Sequence, residues 1–255
     1  MAPIRHLALG VSGEEGLDGA RLGTAAGAVR ISRLTLGFGA MYLEHTGDSV
    51  PVPDDTLFGG TGIARGPLVS GYNVMGVAAL AYRRGMISLG VSAKGLREYV
   101  SDGSPQAWRA NGITGTVGAG IAFFDIAAFG FAIENLTGTL TGNGRRQTLP
   151  RTLRGGFTLN IVDPQGTLRL MTTFDWVRPP GGDAYWVLAT ETGLVARGVG
   201  IVGRGGIATG RSGSELSDAS FGAGILLGSV RVDYASQGYR GTARRTHRVG
   251  VRVVL

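Results

Sequence analysis

The stretch TLRGGFTLNIVDPQGTLRLMTTFDWV, residues 152–177, decides the fold. It contains two runs, 152–162 and 167–177, in which large apolar side chains occupy most of one set of alternate positions and the charged ones occupy the other set. Side chains of a β-strand point alternately to its two faces, so each run reads as a strand with one apolar face. The intervening DPQG (163–166) has the Pro and Gly of a β-turn. The stretch therefore predicts an antiparallel hairpin.

The same unit recurs along the whole chain, and the connections between the runs alternate in length. Predicted strand cores are 4–12, 25–31, 33–44, 71–82, 86–99, 110–124, 126–136, 152–162, 167–177, 185–196, 199–209, 216–227, 230–235 and 247–255. Long connections are 13–24, 45–70, 100–109, 137–151, 178–184, 210–215 and 236–246, whereas the others are short. Alternate connections of a membrane barrel lie on opposite sides of the membrane, which explains the alternation. We predict an all-β, antiparallel up-and-down transmembrane β-barrel of about 14 strands, formed by residues 1–255 as a single domain.

The positions of the charged residues in the two-residue alternation indicate which face of each strand is lumenal and which points outward. A charged side chain that faces lipid at the bilayer midplane costs about 2–4 kcal/mol. We therefore expect the following charged residues to face the lumen: Arg154, Arg169, Asp175, Glu191, Arg231, Asp233 and Arg252. The alternate phase should point outward, as represented by Leu168, Leu170, Phe174, Val232, Val251 and Val253. A soluble sheet protein shows the same alternation in the opposite sense. Charges of both signs on neighbouring strands favour the membrane barrel.

Composition excludes several classes of function. The chain has 46 Gly and no Cys, which removes disulfides, Cys-based metal sites and thiol catalysis. The net charge of +7 comes almost entirely from Arg, which we assign to turns, rims and paired interior sites and not to nucleic-acid binding. The sequence GVGIVG (198–203) matches the dinucleotide fingerprint, but the residues after it are poor helix formers. The histidines lack metal-ligand spacing. We expect no enzyme activity, no cofactor and no metal.

Four motifs carry a resemblance to a known family: FGFAIENL (129–136), LP (149–150), VRVDY (230–234) and THRVGV (246–251). With them the chain resembles PorV/PorQ-type outer-membrane proteins, which belong with the FadL-like transporters of long-chain fatty acids. The resemblance implies a fourteen-stranded barrel with an N-terminal segment folded into the lumen as a hatch. The Asn-Pro-Ala-Gly-like motif of that segment is missing here, and no secretory signal is visible, so we expect the chain to be N-terminally truncated.

Three functions follow as expectations. The first is a FadL-like barrel of the bacterial outer membrane that transports or binds a hydrophobic or amphipathic small molecule, with Arg169, Arg231 and Arg252 contacting its head group. In this view the partners are membrane lipid and the small molecule. The second is a non-transporting, PorV-like barrel that anchors or assists a secreted protein. The third is a soluble all-β binding protein. The alternative role for the three arginines is to brace Asp175, Glu191 and Asp233.

Overall fold

The computed structural model describes residues 7–16, 19–53, 63–101, 107–124, 126–162, 166–209, 216–240 and 244–255. These residues form a closed, antiparallel, fourteen-stranded β-barrel with a short additional hairpin. The strands are β1 (Leu7–Glu15), β2 (Arg21–Ile31), β3 (Leu34–Pro53), β4 (Ile63–Arg84), β5 (Ile87–Ser101), β6 (Trp108–Phe123), β7 (Ala127–Glu134), β8 (Gly138–Gly142), β9 (Arg145–Thr148), β10 (Thr152–Val162), β11 (Leu168–Arg178), β12 (Tyr185–Ala196), β13 (Val199–Thr209), β14 (Leu216–Leu227), β15 (Val230–Tyr239) and β16 (Arg245–Val254).

The barrel is closed by pairing between its first and last strands. β1 is hydrogen-bonded to both β2 and β16, and β5 is hydrogen-bonded to both β4 and β6. Every other barrel strand pairs with its sequence neighbours, except that β7 pairs with β10 across the additional hairpin. The predicted up-and-down barrel of about 14 strands is confirmed. Among the described residues, no helix combines the length and the apolar character needed to cross a membrane.

The additional hairpin, β8–β9, occupies the segment 137–151 that the sequence predicted as a loop. The C-terminal half of β6, which we call its inner half, pairs with β7. β7 ends at Glu134, and Asn135 after it adopts a left-handed φ of 53°. The outer half of β6 pairs instead with β8, from Ala110↔Gly142 to Thr114↔Gly138. The hairpin thus covers backbone groups of β6 that β7 does not reach.

Other predicted long connections are shortened because the strands extend beyond their apolar cores. β1 continues to Glu15 and β2 begins at Arg21, so most of the predicted connection 13–24 is strand. β3 and β4 likewise extend into the predicted connection 45–70. Backbone pairing continues where apolar alternation has stopped, since ladder hydrogen bonds do not depend on side-chain polarity. Asp125 and residues 163–165 of the predicted short turns lie outside the described residues.

The short connections use left-handed residues, as tight hairpins require. Arg197 and Gly198 have φ values of 51° and 80°, which is the pattern of a type I′ turn. Gly85 and Gly228 adopt φ values of 59° at the corresponding ends of β4 and β14. These turns lie together at one end of the barrel, and the longer connections lie at the other.

We predict that Gly198→Val destabilises the barrel by about 1–2 kcal/mol, because a β-branched side chain disfavours the left-handed conformation. The matched control is Gly203→Val in β13, where an added Cβ meets no atom within 4 Å. The measurement is the denaturant midpoint of each refolded barrel in detergent. Equal midpoints for the two variants would contradict the assignment of a strained turn.

Candidate functional site: a charged wall of the barrel

The strand registers divide the side chains of the barrel into two faces. We call the face that holds Glu191 and its register partners the charged face, and the opposite one the apolar face. Glu191 is paired with Met171 on one side and Arg204 on the other. Ile201 on the apolar face is paired with Leu194 and Ile225. The registers carry both faces continuously around the barrel.

The apolar face is largely exposed and rich in aromatic rings. Ile201 is 68% exposed and Leu194 is 62% exposed. Phe157 and Phe174 stack at 5.5 Å between ring centroids, and Phe174 and Trp186 stack at 4.9 Å. A soluble barrel would bury such a face, because contiguous apolar surface of this extent promotes association in water. Its exposure disfavours the third function expected from the sequence.

Four charged side chains on the charged face form a closed network. Arg204 donates to Glu191 Oε2 through Nε at 2.6 Å and to Asp233 Oδ1 through Nη2 at 2.8 Å. Arg231 donates to the same two atoms, to Glu191 Oε2 through Nη2 at 2.6 Å and to Asp233 Oδ1 through Nε at 2.9 Å. Each carboxylate is shared by two guanidinium groups. The network therefore has no formal net charge.

The network spans β12 to β15 and depends on a side-chain gap on the strand between its members. β14 lies between Arg204 on β13 and Asp233 on β15, and it presents Gly222 and Gly224 on the charged face. A Cβ added to Gly224 would lie 2.3 Å from Asp233 Oδ1 and 3.2 Å from Arg204 Nη2. Gly224 thus leaves the space through which the two side chains meet across β14.

The structure brings together three of the residues predicted as a lumenal set and leaves four outside the network. All seven lie on the charged face, as the registers of β10–β12, β15 and β16 show. Arg231, Glu191 and Asp233 belong to the network, and Arg154 lies 3.5 Å from Glu134. Within the described part of the chain, Arg169, Asp175 and Arg252 form no ion pair. That these residues point into the barrel remains a prediction.

Arg204 was missed by the sequence analysis although it is central to the network. It lies within the predicted strand 199–209 but was not included among the charged residues expected to face the lumen. The signal was available in the sequence, because Arg204 opposes the phase of Ile201 and Ile207 in that strand. The register of β12 and β13 then places Arg204 beside Glu191.

Two cavities border the charged face. A cavity of about 280 Å³ is lined by Arg204, Asp233, Arg248 and Arg252, with Ser12 and Thr24 supplying hydroxyl groups. Its lining also includes Gly10 and Gly250, which lack side chains. A larger cavity of about 580 Å³ has Arg154, Thr158, Asn160 and Asp175 in its lining, together with glycines and alanines of β6, β7 and β10.

The smaller cavity carries an excess of positive charge. Arg204 and Asp233 are neutralised within the network, and Arg248 lies 4.0 Å from Glu14 while donating to Ser12 Oγ at 3.1 Å. Arg252 adds a guanidinium without a partner among the described residues. Such a site can accept one carboxylate, because Arg binds that group through parallel hydrogen bonds. Among the described residues, no group of three or more His, Asp or Glu side chains could hold a metal ion.

Comparisons with known proteins show the fold. No family model matches the sequence, and no curated protein matches it. Solved structures do match: the CymD monoaromatic hydrocarbon channel aligns with a TM-score of 0.60 and 11% identity over 98% of this chain and 88% of that one. The Ralstonia pickettii toluene transporter TbuX aligns with a TM-score of 0.59 and 13% identity over 97% and 87%. The Pseudomonas putida toluene transporter TodX aligns with a TM-score of 0.53 and 11% identity over 96% and 86%. At these identities the likeness concerns the barrel fold.

We predict that Gly224→Ala destabilises the barrel by about 1–3 kcal/mol, because its methyl group overpacks the gap through which Arg204 reaches Asp233. Gly205→Ala is the control, since a Cβ at Gly205 meets no atom within 4 Å. The denaturant midpoint measures both. In the double variant Gly224→Ala/Asp233→Ala the two effects should be less than additive. Simple additivity would show that Gly224 is not coupled to the network.

Proposed function

We propose that the charged face lines the interior of one barrel domain, residues 1–255, in the bacterial outer membrane. In this proposal the chain is a FadL-like transporter of small hydrophobic or amphipathic molecules. The observation that carries it is the pairing of an exposed apolar face with a charged face that borders two cavities of a closed barrel. In a membrane the apolar face contacts lipid without cost, whereas the opposite orientation would place the ion network in hydrocarbon.

Small side chains on the charged face leave room for a path through the barrel. On β4–β7 this face presents mainly glycine, alanine and serine, represented by Ala79, Ala81, Ser88, Gly90, Gly118, Gly120, Gly130 and Ala132. A fourteen-stranded barrel is wider than one whose interior is filled by its own side chains. A wall of small residues therefore supports passage of a solute and not a packed core.

The ion network gives Arg231 a different role from Arg169 and Arg252, the other two arginines expected to contact a head group. The Arg231 guanidinium is held by Glu191 and Asp233, so it acts as a brace for the wall. Arg169 and Arg252 have no ion pair among the described residues. Of these two, only Arg252 lines the smaller cavity, whose lining includes Gly10 and Gly250. We infer that Arg252 is the first contact for the carboxylate of an amphipathic solute.

A second candidate function is a PorV-like anchor for a secreted protein. The observation in its favour is the β8–β9 hairpin, in which β9 (Arg145–Thr148) pairs with β8 and with no second strand among the described residues. An open strand edge can accept an extended segment of another protein. Transport and anchoring are separated by a flux measurement.

The flux measurement uses the chain reconstituted into liposomes and a fluorescent medium-chain fatty acid added outside. Transport predicts uptake faster than into protein-free liposomes. Uptake equal to that of protein-free liposomes, with the barrel shown to be folded by its β-sheet circular dichroism, would reject transport and leave the anchor as the better account.

We predict that Arg252→Gln lowers the uptake rate of the carboxylate several-fold and leaves that of the corresponding neutral amide unchanged. The reason is the loss of the one unbalanced guanidinium in the smaller cavity. Arg84→Gln is the matched control: Arg84 is exposed at the short-turn end of β4 and is paired with Ile87 on the apolar face. A similar slowing in both variants, or of both solutes, would contradict a head-group role for Arg252.

A further inference from the structure

An unbalanced cluster of arginines lies on the apolar face, at the long-connection end of β5, β6 and the additional hairpin. Arg97 on β5 is paired with Asn111 on β6, Asn111 with Thr141 on β8, and Thr141 with Arg146 on β9. Arg109 lies two residues from Asn111 on the same side of β6. We call these residues the rim cluster: Arg97, Arg109, Asn111, Thr141 and Arg146. All five are exposed.

No carboxylate balances the rim cluster within the described residues. Glu98 follows Arg97 but lies on the other face, where it accepts from Trp108 Nε1 at 3.4 Å. Glu44 shares the apolar face, in the row that runs through Tyr72 and Tyr99 to Arg109. Three strand spacings separate Glu44 from Arg109, which is about 14 Å and too far for an ion pair.

The cluster lies beside a tyrosine stack, and an exposed aliphatic residue lies in the next row toward the short-turn end. Tyr42, Tyr72 and Tyr99 stack on adjacent strands with centroid distances of 6.0 and 5.2 Å. The Arg109 guanidinium lies 5.6 Å from the ring centroid of Tyr99, its register partner, and so extends the row of Tyr72 and Tyr99 onto β6. Ile113, in the next row below Asn111 on the apolar face, is 75% exposed. Tyrosine rings at such a position mark the level of lipid head groups in a membrane barrel.

The hairpin β8–β9, which is additional to the fourteen barrel strands, contributes Thr141 and Arg146 to the cluster. Its turn, Asn143-Gly144, has φ values of 45° and 76°, and Asn143 Nδ2 donates to Ala107 O at 3.1 Å. Pairing on β6 then holds Arg146 three strand spacings, about 14 Å, from Arg97, with Arg109 between them. Three guanidinium groups with this spread can contact two phosphates on one head group.

We propose that the rim cluster binds the phosphorylated head group of a lipid in the outer leaflet. The head group lies beside the tyrosine stack, and the acyl chains lie against Ile113 and the apolar face below it. The proposal rests on the membrane placement of the proposed function, with the longer connections outside, and not on transport. Phosphate is favoured because Arg binds its oxygens through parallel, charge-assisted hydrogen bonds. Amide and hydroxyl groups of Asn111 and Thr141 add polar contacts between the arginines.

The test measures retention of diphosphoryl lipid A by the full chain in a neutral detergent, using native mass spectrometry and titration. We expect a bound lipid on the unaltered chain. The triple variant Arg97→Gln/Arg109→Gln/Arg146→Gln should bind at least about tenfold more weakly, since each basic group near a lipid surface contributes to attraction. The control Arg33→Gln/Arg84→Gln/Arg197→Gln removes the same charge at the short-turn end and should bind as the unaltered chain does.

Three results would overturn the proposal. One is an equal loss of binding in both triple variants, which would indicate attraction by net charge alone. Another is equal retention of a neutral phosphatidylcholine, which would indicate only apolar contact. The third is competition by inorganic phosphate at the concentration of the lipid, which would indicate an anion site without a lipid. Circular dichroism of each variant establishes that it is folded. Because uptake is not the readout, failure here leaves the transport function untouched.

Discussion

Closure of the backbone hydrogen-bond ladder is the constraint on which the rest of the structure depends. β1 and β16 meet through eight register pairs from Ala8↔Val254 to Glu15↔His247, and Leu7 and Leu255 exchange two further hydrogen bonds at 3.2 and 2.8 Å. In the membrane that we propose for the barrel, an unpaired backbone group would cost several kcal/mol, so an open sheet edge would not be tolerated there. Closure gives every one of the fourteen barrel strands two partners. The hairpin on β6 follows from the same requirement, because β7 is too short to satisfy the outer half of that strand.

Closure also makes the two faces of the sheet chemically unequal, and this decides where charge can be placed. In the interior placement that we propose for the charged face, its side chains converge and can reach across a strand, as Arg204 and Asp233 do over Gly224. Side chains on the apolar face then diverge, and neighbours in a row stack there, as Phe157, Phe174 and Trp186 do. The ion pairs of the network between non-adjacent strands lie on the charged face, where Arg231 also reaches Glu191 across β13 and β14.

The sequence predicted the strands and which residues share a face, because an alternation with a period of two residues can be identified within a single strand. It could not predict partners across strands. Arg204 and Glu191 meet only once the register of β12 and β13 is known, and the role of Gly224 needs three strands in register. The hairpin β8–β9 was missed for a related reason. β9 is polar and exposed on both faces, and β8 has Leu140 as its only large apolar residue, so no apolar alternation marks the hairpin. Its pairing is set by the end of β7.

The arginines fall into two groups. Those with carboxylate partners stabilise the barrel wall, and those without such partners are the candidates for ligand contact. Removing Arg204 or Arg231 would leave the carboxylates of the network without full compensation, which lowers the stability of the fold. These two arginines therefore have a structural role. Arg252 and the rim arginines have no carboxylate partner among the described residues, so their loss leaves no carboxylate uncompensated. Arg252 lies beside the cavity that Gly10 and Gly250 line, and the rim arginines lie beside the tyrosine stack. In the functions that we propose, these positions let the barrel contact anions on both of its faces.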